Sequence, residues 1–245
     1  MGAQEYADRG VYRRRMAAAE LAGFTVAIAE SDLHVSAARD LTADALRELR
    51  AVRGQIEGYI REHPGFQETL APWPEDPAAP PAVREMISAG RVAGVGPMAA
   101  VAGAVAGHVG RALLAESPEV IVENGGDIFM ASRRERVAAI FAGTSKLSMK
   151  LGLRLPPAPE GLGLCTSSGT VGPSLSFGRA DAAVTLAADP ALSDACATAL
   201  GNRVKSAADL QRAMDWAATV PGLDGALAII GEDLAAWGRM ELTEI

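Results

Sequence analysis

Two residues four positions apart, Asp194 and Thr198, form the pattern in this sequence with the clearest chemical meaning. They lie in the segment S-D-A-C-A-T-A-L, and on a helix this spacing places both side chains on one face, one turn apart. A carboxylate and a hydroxyl arranged in this way offer hard oxygen ligands to a small cation such as Mg²⁺. The structural alternative is that Asp194 caps the helix or lies in its first turn, where acidic residues are favoured, while Thr198 only packs. The sequence leaves both interpretations open.

A second segment, E-N-G-G-D, lies between two apolar runs and contains Asn124, Gly125, Gly126 and Asp127. Asn-Gly in this setting is a strong signal for a β-hairpin turn, and a turn alone would explain the pattern. Two glycines also let a ligand approach the backbone closely. In that case Asp127 would hydrogen-bond a ribose hydroxyl or a base, so we keep both alternatives.

A third segment, T-S-S-G-T-V-G, supplies hydroxyls and glycine at Thr166, Ser167, Ser168 and Gly169. Backbone N–H groups in such a loop can cradle an anion. A serine nucleophile would need a base, and the three histidines are scattered at His34, His63 and His108. A catalytic triad would therefore require the fold to assemble it, and the sequence favours the anion cradle.

The segment G-V-G-P-M-A formally fits a dinucleotide-binding fingerprint at Gly94, Gly96 and Ala99. That fingerprint requires a preceding strand, whereas residues 82–91 are predicted to be helical. The pattern therefore favours a glycine hinge between two helices over an NAD-binding dehydrogenase. A helix that begins after glycines can still hold a phosphate group.

Composition narrows the class of protein. The chain has 245 residues, 49% of them hydrophobic and only 4% aromatic, with a net charge of −7 that argues against nucleic-acid binding. The two cysteines, Cys165 and Cys196, have no disulfide-framework spacing, so they predict small buried residues in a reduced, cytoplasmic protein. Residues 92–107 form an apolar run, but its alanines, glycines and Pro97 favour a buried helix over a membrane span.

Strand-like and helical patterns alternate in blocks along the chain. Strands are predicted over residues 24–29, 33–36, 120–122, 128–131, 137–142, 147–153, 162–165, 182–187, 226–230 and 240–244. Helices are predicted over residues 42–63, 82–91, 98–115, 191–200 and 207–219, with Gly103 and Gly107 packing one helix onto a sheet. This order favours an α+β fold with largely antiparallel sheets and packed helix pairs. We expect one domain over residues 1–245. Two structural halves and an internal duplication are an open possibility, with a boundary near residues 72–97. The prolines of residues 72–81 predict a stiff loop there.

The order and spacing of these segments are similar to those of the ApbE-like superfamily. The glycine-rich helix G-P-M-A-A-V-A-G-A-V-A-G followed by E-N-G-G-D-I resembles the family's glycine-rich helix and N-x-G-G-D-I turn. L-C-T-S-S-G resembles its T-S-G loop, and S-D-A-C-A-T-A-L resembles its A-D-A-x-x-T-A-L helix. The similarity extends from Gly94 to Gly201 and implies the family's T-fold-like architecture.

The best-known members of this superfamily are Mg²⁺-dependent FAD:protein FMN transferases. The resemblance implies that Asp194, Thr198 and a backbone carbonyl near Val101 bind Mg²⁺. It also implies that the turn at residues 124–127 contacts the adenine half of FAD and that the loop at residues 166–169 approaches the pyrophosphate. Two alternatives follow: a transferase or hydrolase acting on an FAD-like pyrophosphate, or a flavin- or nucleotide-binding or interaction protein without catalysis. In either case we expect a small-molecule ligand, no nucleic acid or membrane partner, and a homodimer as an open possibility.

The sequence also departs from the family pattern at two places. The lysine expected near the start of the glycine-rich helix is replaced by alanine and glycine, and the family's H-I-I-D-P segment is absent after the T-S-S-G loop. These departures are the reason for keeping the non-catalytic alternative.

Overall fold

The computed structural model describes residues 20–169 and 177–245. Its strands are β1 (Ala22–Ile28), β2 (Ser31–Ala37), β3 (Val120–Asn124), β4 (Asp127–Ser132), β5 (Arg136–Ala139), β6 (Leu151–Leu155), β7 (Ala158–Ser167), β8 (Ala182–Ala187), β9 (Leu223–Ile230), β10 (Asp233–Gly238) and β11 (Glu241–Glu244). Its α-helices are α1 (Thr42–Glu62), α2 (Gly65–Glu68), α3 (Pro81–Ala93), α4 (Val101–Leu113), α5 (Pro190–Arg203) and α6 (Leu210–Ala217). Short 3₁₀ turns at Pro97–Ala100 and Ala207–Asp209 precede α4 and α6.

The strands form two antiparallel sheets. The larger sheet has eight strands in the order β1-β2-β3-β4-β7-β8-β9-β10, and the smaller has three in the order β11-β6-β5. Neighbouring strands in both sheets are antiparallel. The predicted α+β fold with largely antiparallel sheets is therefore confirmed.

The large sheet is covered on both faces, and strand alternation decides which residues face which layer. On β4, Phe129 and Ala131 belong to the core shared with the helices. Ile128 and Met130 instead belong to a second core, beneath the three-stranded sheet. Asp127 of β4, which the site described below includes, has the same parity as Phe129 and so lies on the helix side of the large sheet.

The close contact between α4 and α5 determines how the site is built. A Cβ atom added at Gly103 would overlap the Pro190 carbonyl oxygen and lie 2.8 Å from the Asp194 Cβ. At Gly107 an added Cβ would meet the Pro190 ring. The prediction that these two glycines pack onto a sheet was therefore wrong, because they pack against α5. It is Gly110, one turn farther along α4, that packs against Phe129 of the sheet.

Most predicted elements are present, and two differences have clear physical causes. The sequence did not predict β10, a partly exposed edge strand whose D-L-A-A-W-G sequence alternates only weakly. The strand predicted over residues 147–153 begins at Leu151 instead. Residues before it form a turn in which Met149 has a φ of 59° and the Lys150 N–H donates to the Leu147 carbonyl.

The proline-rich loop lies outside the large sheet. Strand β2 before the loop pairs directly with β3 after it, so one sheet contains strands from both sides of residues 72–81. The loop is fastened to α1, where the Tyr59 hydroxyl donates to Asp76 at 2.8 Å and the Trp73 indole donates to the Tyr59 oxygen at 3.3 Å. The organisation of the whole chain as one domain stays a prediction.

Among the described residues, no single helix is long and apolar enough to cross a membrane. The segments Pro81–Ala93 and Pro97–Leu113 meet the length and composition criteria only as a pair bent by 106°. Most residues of α4 are buried in the protein.

Candidate functional site

The residues that start helix α5 are Asp189 and Pro190, and Asp194 is not one of them. Asp189 is the N-cap, and its carboxylate accepts a hydrogen bond from the Ala191 N–H at 3.0 Å. Pro190 occupies the first turn, where its missing N–H costs nothing. The interpretation of Asp194 as the helix cap was therefore wrong, and its carboxylate is available for a contact outside its own helix.

Asp194 is buried between α5 and α4, with 8% of its surface exposed. Its Oδ2 atom accepts a hydrogen bond from the Gly103 N–H at 2.8 Å. Burial raises the pKa of Asp194 to about 7, and the backbone N–H groups of Gly103 and Ala102 offset only part of that effect. The close approach of α4, which glycine at position 103 permits, is thus what supplies this carboxylate with its donor.

The predicted hairpin turn between β3 and β4 is present. Asn124 pairs with Asp127, and both intervening glycines have positive φ, 69° at Gly125 and 108° at Gly126, as such a turn requires. The Gly126 N–H donates to Glu123 Oε1 at 3.0 Å. The Asn124 side chain donates to the Ala102 carbonyl at 3.2 Å, which ties the turn to the start of α4.

Asp127 points inward from this turn. It is 9% exposed, and its Oδ1 atom is buried without a hydrogen-bond partner among the described residues. Burial, reinforced by the negative charge of Asp194, raises the pKa of Asp127 well above its ordinary value. Hydrogen bonds from the Cys165 thiol and the Thr166 backbone oppose that shift only in part. The structure therefore brings Asp127 and Asp194 into one buried pair, in which the negative charge of Asp194 disfavours that of Asp127.

Such a pair retains both negative charges only if something compensates them. Two neighbouring buried carboxylates otherwise bind a proton, because the charged forms lose hydration and repel each other. Thr198 lies one turn beyond Asp194 on α5 and is partly exposed. Two carboxylates and a hydroxyl are oxygen ligands of the kind that Mg²⁺ prefers. No group of three or more His, Cys, Asp or Glu side chains in the described part of the chain has the arrangement of a metal site.

Only part of the T-S-S-G segment reaches this region. The Thr166 carbonyl oxygen would lie 3.8 Å from a Cβ at Gly126, so Thr166 borders the hairpin turn. Ser167 is buried and faces Gly201 of α5. Ser168 is partly buried beyond it. The Gly169 N–H already donates to the Ala180 carbonyl at 2.9 Å. The remaining residues of that segment, 170–172, lie outside the described residues.

Other features that the sequence singled out occupy separate places. Helix α3 directly precedes Gly94, which ends it in a left-handed conformation, so the predicted glycine hinge between two helices is confirmed and the dinucleotide fingerprint lacks the strand it requires. His63 stacks against Tyr59, whereas His108 lies 3.1 Å from Glu85, so these two histidines take part in different local contacts. Cys165 and Cys196 are both buried, as predicted.

Sequence reasoning missed two contributors to the carboxylate pair. Cys165 was predicted to be buried, but not to contact Asp127, and its thiol also lies 3.5 Å from the Pro190 carbonyl. The role of Gly103 as the donor to Asp194 was also missed. Its position on the glycine face of α4 was visible in the sequence, whereas its partner helix, 91 residues away, was not.

The buried pair predicts a specific pH dependence of stability. Because burial raises the folded-state pKa of Asp194 to about 7 and that of Asp127 well above its ordinary value, the metal-free folded protein binds more protons than the unfolded chain between about pH 4 and pH 7. Metal-free stability should therefore fall as the pH rises through 7. Thermal unfolding between pH 5 and 8 should show this decline, and saturating Mg²⁺ should reduce it, because a cation that binds only the folded protein stabilises it. A decline that persists unchanged in Asp194→Asn would contradict the assignment.

A family model described as "AbpE bacteria" matches residues 13–233. The chain belongs to this family. The matched region includes the glycine-rich helix, the hairpin turn, the T-S-S-G segment and α5, so the resemblance to the ApbE-like superfamily is confirmed.

Curated relatives agree with this assignment. The "UPF0280 protein" of Methanocella arvoryzae is 46% identical over 190 residues, which is 77% of this chain and 77% of the relative. The "UPF0280 protein" of Methanosarcina acetivorans is 43% identical over 216 residues, or 86% of this chain and 81% of the relative. Each alignment spans most of both proteins.

Solved structures share the fold at much lower identity. The flavin transferase ApbE from Vibrio cholerae matches with a TM-score of 0.60 and 10% identity, covering 90% of this chain and 97% of that one. The apo form of the Pseudomonas stutzeri flavinyl transferase ApbE matches with a TM-score of 0.58 and 14% identity, covering 89% and 94%. These similarities establish that this family member has the ApbE fold.

Proposed function

We propose that this protein binds a flavin or related nucleotide pyrophosphate together with Mg²⁺, and that Asp194, Thr198 and Asp127 hold the cation. The observation that carries the proposal is the buried Asp127–Asp194 pair, in which Asp127 Oδ1 has no partner among the described residues. The ApbE fold, shared with flavin transferases, supports a flavin nucleotide as the ligand.

The residues around the pair are arranged to hold both carboxylates in fixed positions. The Gly103 N–H binds one oxygen of Asp194, and the Cys165 thiol and Thr166 backbone lie beside Asp127. Mg²⁺ is usually bound by one or two carboxylates and completed by substrate phosphates and water, so a small ligand set is sufficient. When bound, Mg²⁺ would neutralise pyrophosphate charge and polarise the bond to be cut.

The turn at residues 124–127 would provide the approach for the nucleotide. Gly125 has no atom within 4 Å of an added Cβ, so its backbone faces open space next to the carboxylate pair. The Asn124 side chain holds this turn against the start of α4 and so keeps it in place without the ligand. Preorganisation of this kind lowers the entropic cost of binding. The proposal also includes contacts of Asn124, Gly125 and Gly126 with the adenine half and of the 166–169 segment with the pyrophosphate, while Asp127 at the end of the turn holds the cation.

The proposal is tested by titrating the protein with FAD, ADP and ATP, with Mg²⁺ and with EDTA. We expect at least one of the three to bind with a micromolar Kd in Mg²⁺, and to bind about tenfold or more weakly in EDTA, because the cation offsets the pyrophosphate charge. Absence of binding up to high micromolar concentrations of all three would refute the proposal.

A second candidate is a protein that binds the nucleotide without transferring FMN. It is favoured by the missing lysine and the missing H-I-I-D-P segment. Incubation with FAD, Mg²⁺ and an acceptor domain of a flavinylated protein separates the two candidates. AMP release with flavinylated acceptor supports the transferase, and intact FAD in a protein that binds it supports the non-catalytic alternative.

A further inference from the structure

A cleft with basic and aromatic side chains lies at the C-terminal end of α5. It has a volume of about 310 Å³, and its described lining consists of Asn202, Arg203, Lys205, Arg212 and Trp216. None of these five residues is acidic, although the chain as a whole carries a net charge of −7. The cleft is therefore a local concentration of positive charge on an acidic protein.

Arg203 is fixed in this cleft before any ligand arrives. Its guanidinium donates to the Ala199 carbonyl at 2.7 Å and lies 3.8 Å above the centre of the Trp216 ring. Desolvation lowers the pKa of Arg203, but arginine stays charged at any physiological pH. A cation held by stacking and a backbone hydrogen bond loses little side-chain entropy when an anion binds beside it.

The other polar side chains of the cleft have charges or hydrogen-bond donors that can still contact a ligand. Lys205 is exposed and makes no ion pair with any other described residue. Arg212 pairs with Asp209 at 2.7 Å, yet 81% of its side chain is exposed, so part of its guanidinium still faces solvent. Asn202 accepts a hydrogen bond from the Phe177 N–H through Oδ1, and its NH₂ group donates to no other residue that the structure describes. The end of α5 adds only about half a negative charge.

We propose that this cleft binds a phosphate-bearing small molecule through Arg203, Lys205 and Arg212. Guanidinium forks and ammonium groups are the side chains that bind phosphate oxygens most strongly. The volume of the cleft lies at the lower end of the range for small-molecule sites. Asn202 follows Asp194 by eight residues, or about 12 Å along the helix, so the cleft is distinct from the carboxylate pair.

The test uses inorganic diphosphate in EDTA, which removes any contribution from a metal at the carboxylate pair. Two-dimensional ¹H–¹⁵N NMR should show saturable shifts at the Asn202 side-chain amide and at the Lys205 and Trp216 signals. Lys205→Gln and Arg212→Gln should each weaken binding about fivefold, the effect of one partly exposed charge contact. Lys146→Gln removes another exposed lysine, paired with Glu232 far along the chain, and should leave the affinity unchanged.

Asp194→Asn should also leave diphosphate binding in EDTA unchanged, so failure of this proposal and failure of the proposed nucleotide site can be told apart. The cleft proposal is overturned if millimolar diphosphate shifts none of the cleft signals. It is equally overturned if Lys146→Gln weakens binding as much as Lys205→Gln, because the attraction would then be general surface charge.

Discussion

Asp194→Asn is expected to weaken Mg²⁺-dependent nucleotide binding by at least about tenfold while the fold stays intact, because a neutral amide is a poor ligand for a hard cation. The asparagine oxygen can still accept the hydrogen bond from the Gly103 N–H that Asp194 accepts in the unmodified protein. The substitution also removes one of two repelling buried charges. We therefore expect the melting temperature of the metal-free protein at pH 8 to stay the same or to rise. Calorimetric titration with FAD and Mg²⁺, paired with thermal unfolding, measures both quantities.

The matched control is Asp189→Asn on the same helix. Asp189 caps α5 through the Ala191 N–H, and asparagine caps helices about as well as aspartate. This variant should keep both its affinity and its stability. Equal loss of affinity in Asp189→Asn and Asp194→Asn would mean that any charge change on α5 disturbs the site, and would remove the specific metal role of Asp194.

Gly103→Ala is expected to have the largest effect on stability, a loss of about 3 kcal/mol in the free energy of unfolding. A Cβ at this position overlaps the backbone carbonyl oxygen of Pro190, which cannot move aside as a flexible side chain could. Helix α5 must then separate from α4, and the hydrogen bond from Gly103 to Asp194 is lost with it. Urea unfolding followed by circular dichroism measures the change, and nucleotide titration should show lost affinity.

Gly54→Ala provides the control for a glycine in a helix. Gly54 is exposed on α1, and an added Cβ there meets no atom within 4 Å. Alanine should therefore stabilise the helix by about 0.5–1 kcal/mol, since it loses less backbone entropy on folding. If Gly103→Ala lowered the free energy of unfolding no more than Gly54→Ala does, the result would contradict the close contact between α4 and α5.

Local patterns in the sequence predicted the elements that hold the site. Asn-Gly between apolar runs predicted the β3–β4 turn, and the proline and glycines before α4 predicted its start. The i, i+4 spacing placed Asp194 and Thr198 on one helix. In each case the signal lies within a few residues, so the short-range preferences of the chain are enough to reveal it.

The carboxylate pair could not be predicted in this way, because it depends on contacts between distant segments. Asp127 lies on the same side of β4 as Phe129, but both sides of β4 are buried, and the sequence does not show which side the helices cover. Asp194 comes close to Asp127 because helix α5 packs across the sheet, where it contacts β7, β8 and α4. The glycines of α4 were assigned to the sheet for the same reason, since a small-residue face indicates close packing without indicating the partner.

Crystals grown with FAD and Mn²⁺, which replaces Mg²⁺ and gives an anomalous X-ray signal, provide the most direct measurement of whether Asp127 and Asp194 share a divalent cation. We predict one anomalous peak at bonding distance from Asp194, next to the Thr198 hydroxyl and Asp127 Oδ1, and no such peak in crystals of Asp194→Asn. An ordered nucleotide with no peak between the two carboxylates, or a peak that persists in Asp194→Asn, would contradict the shared cation site.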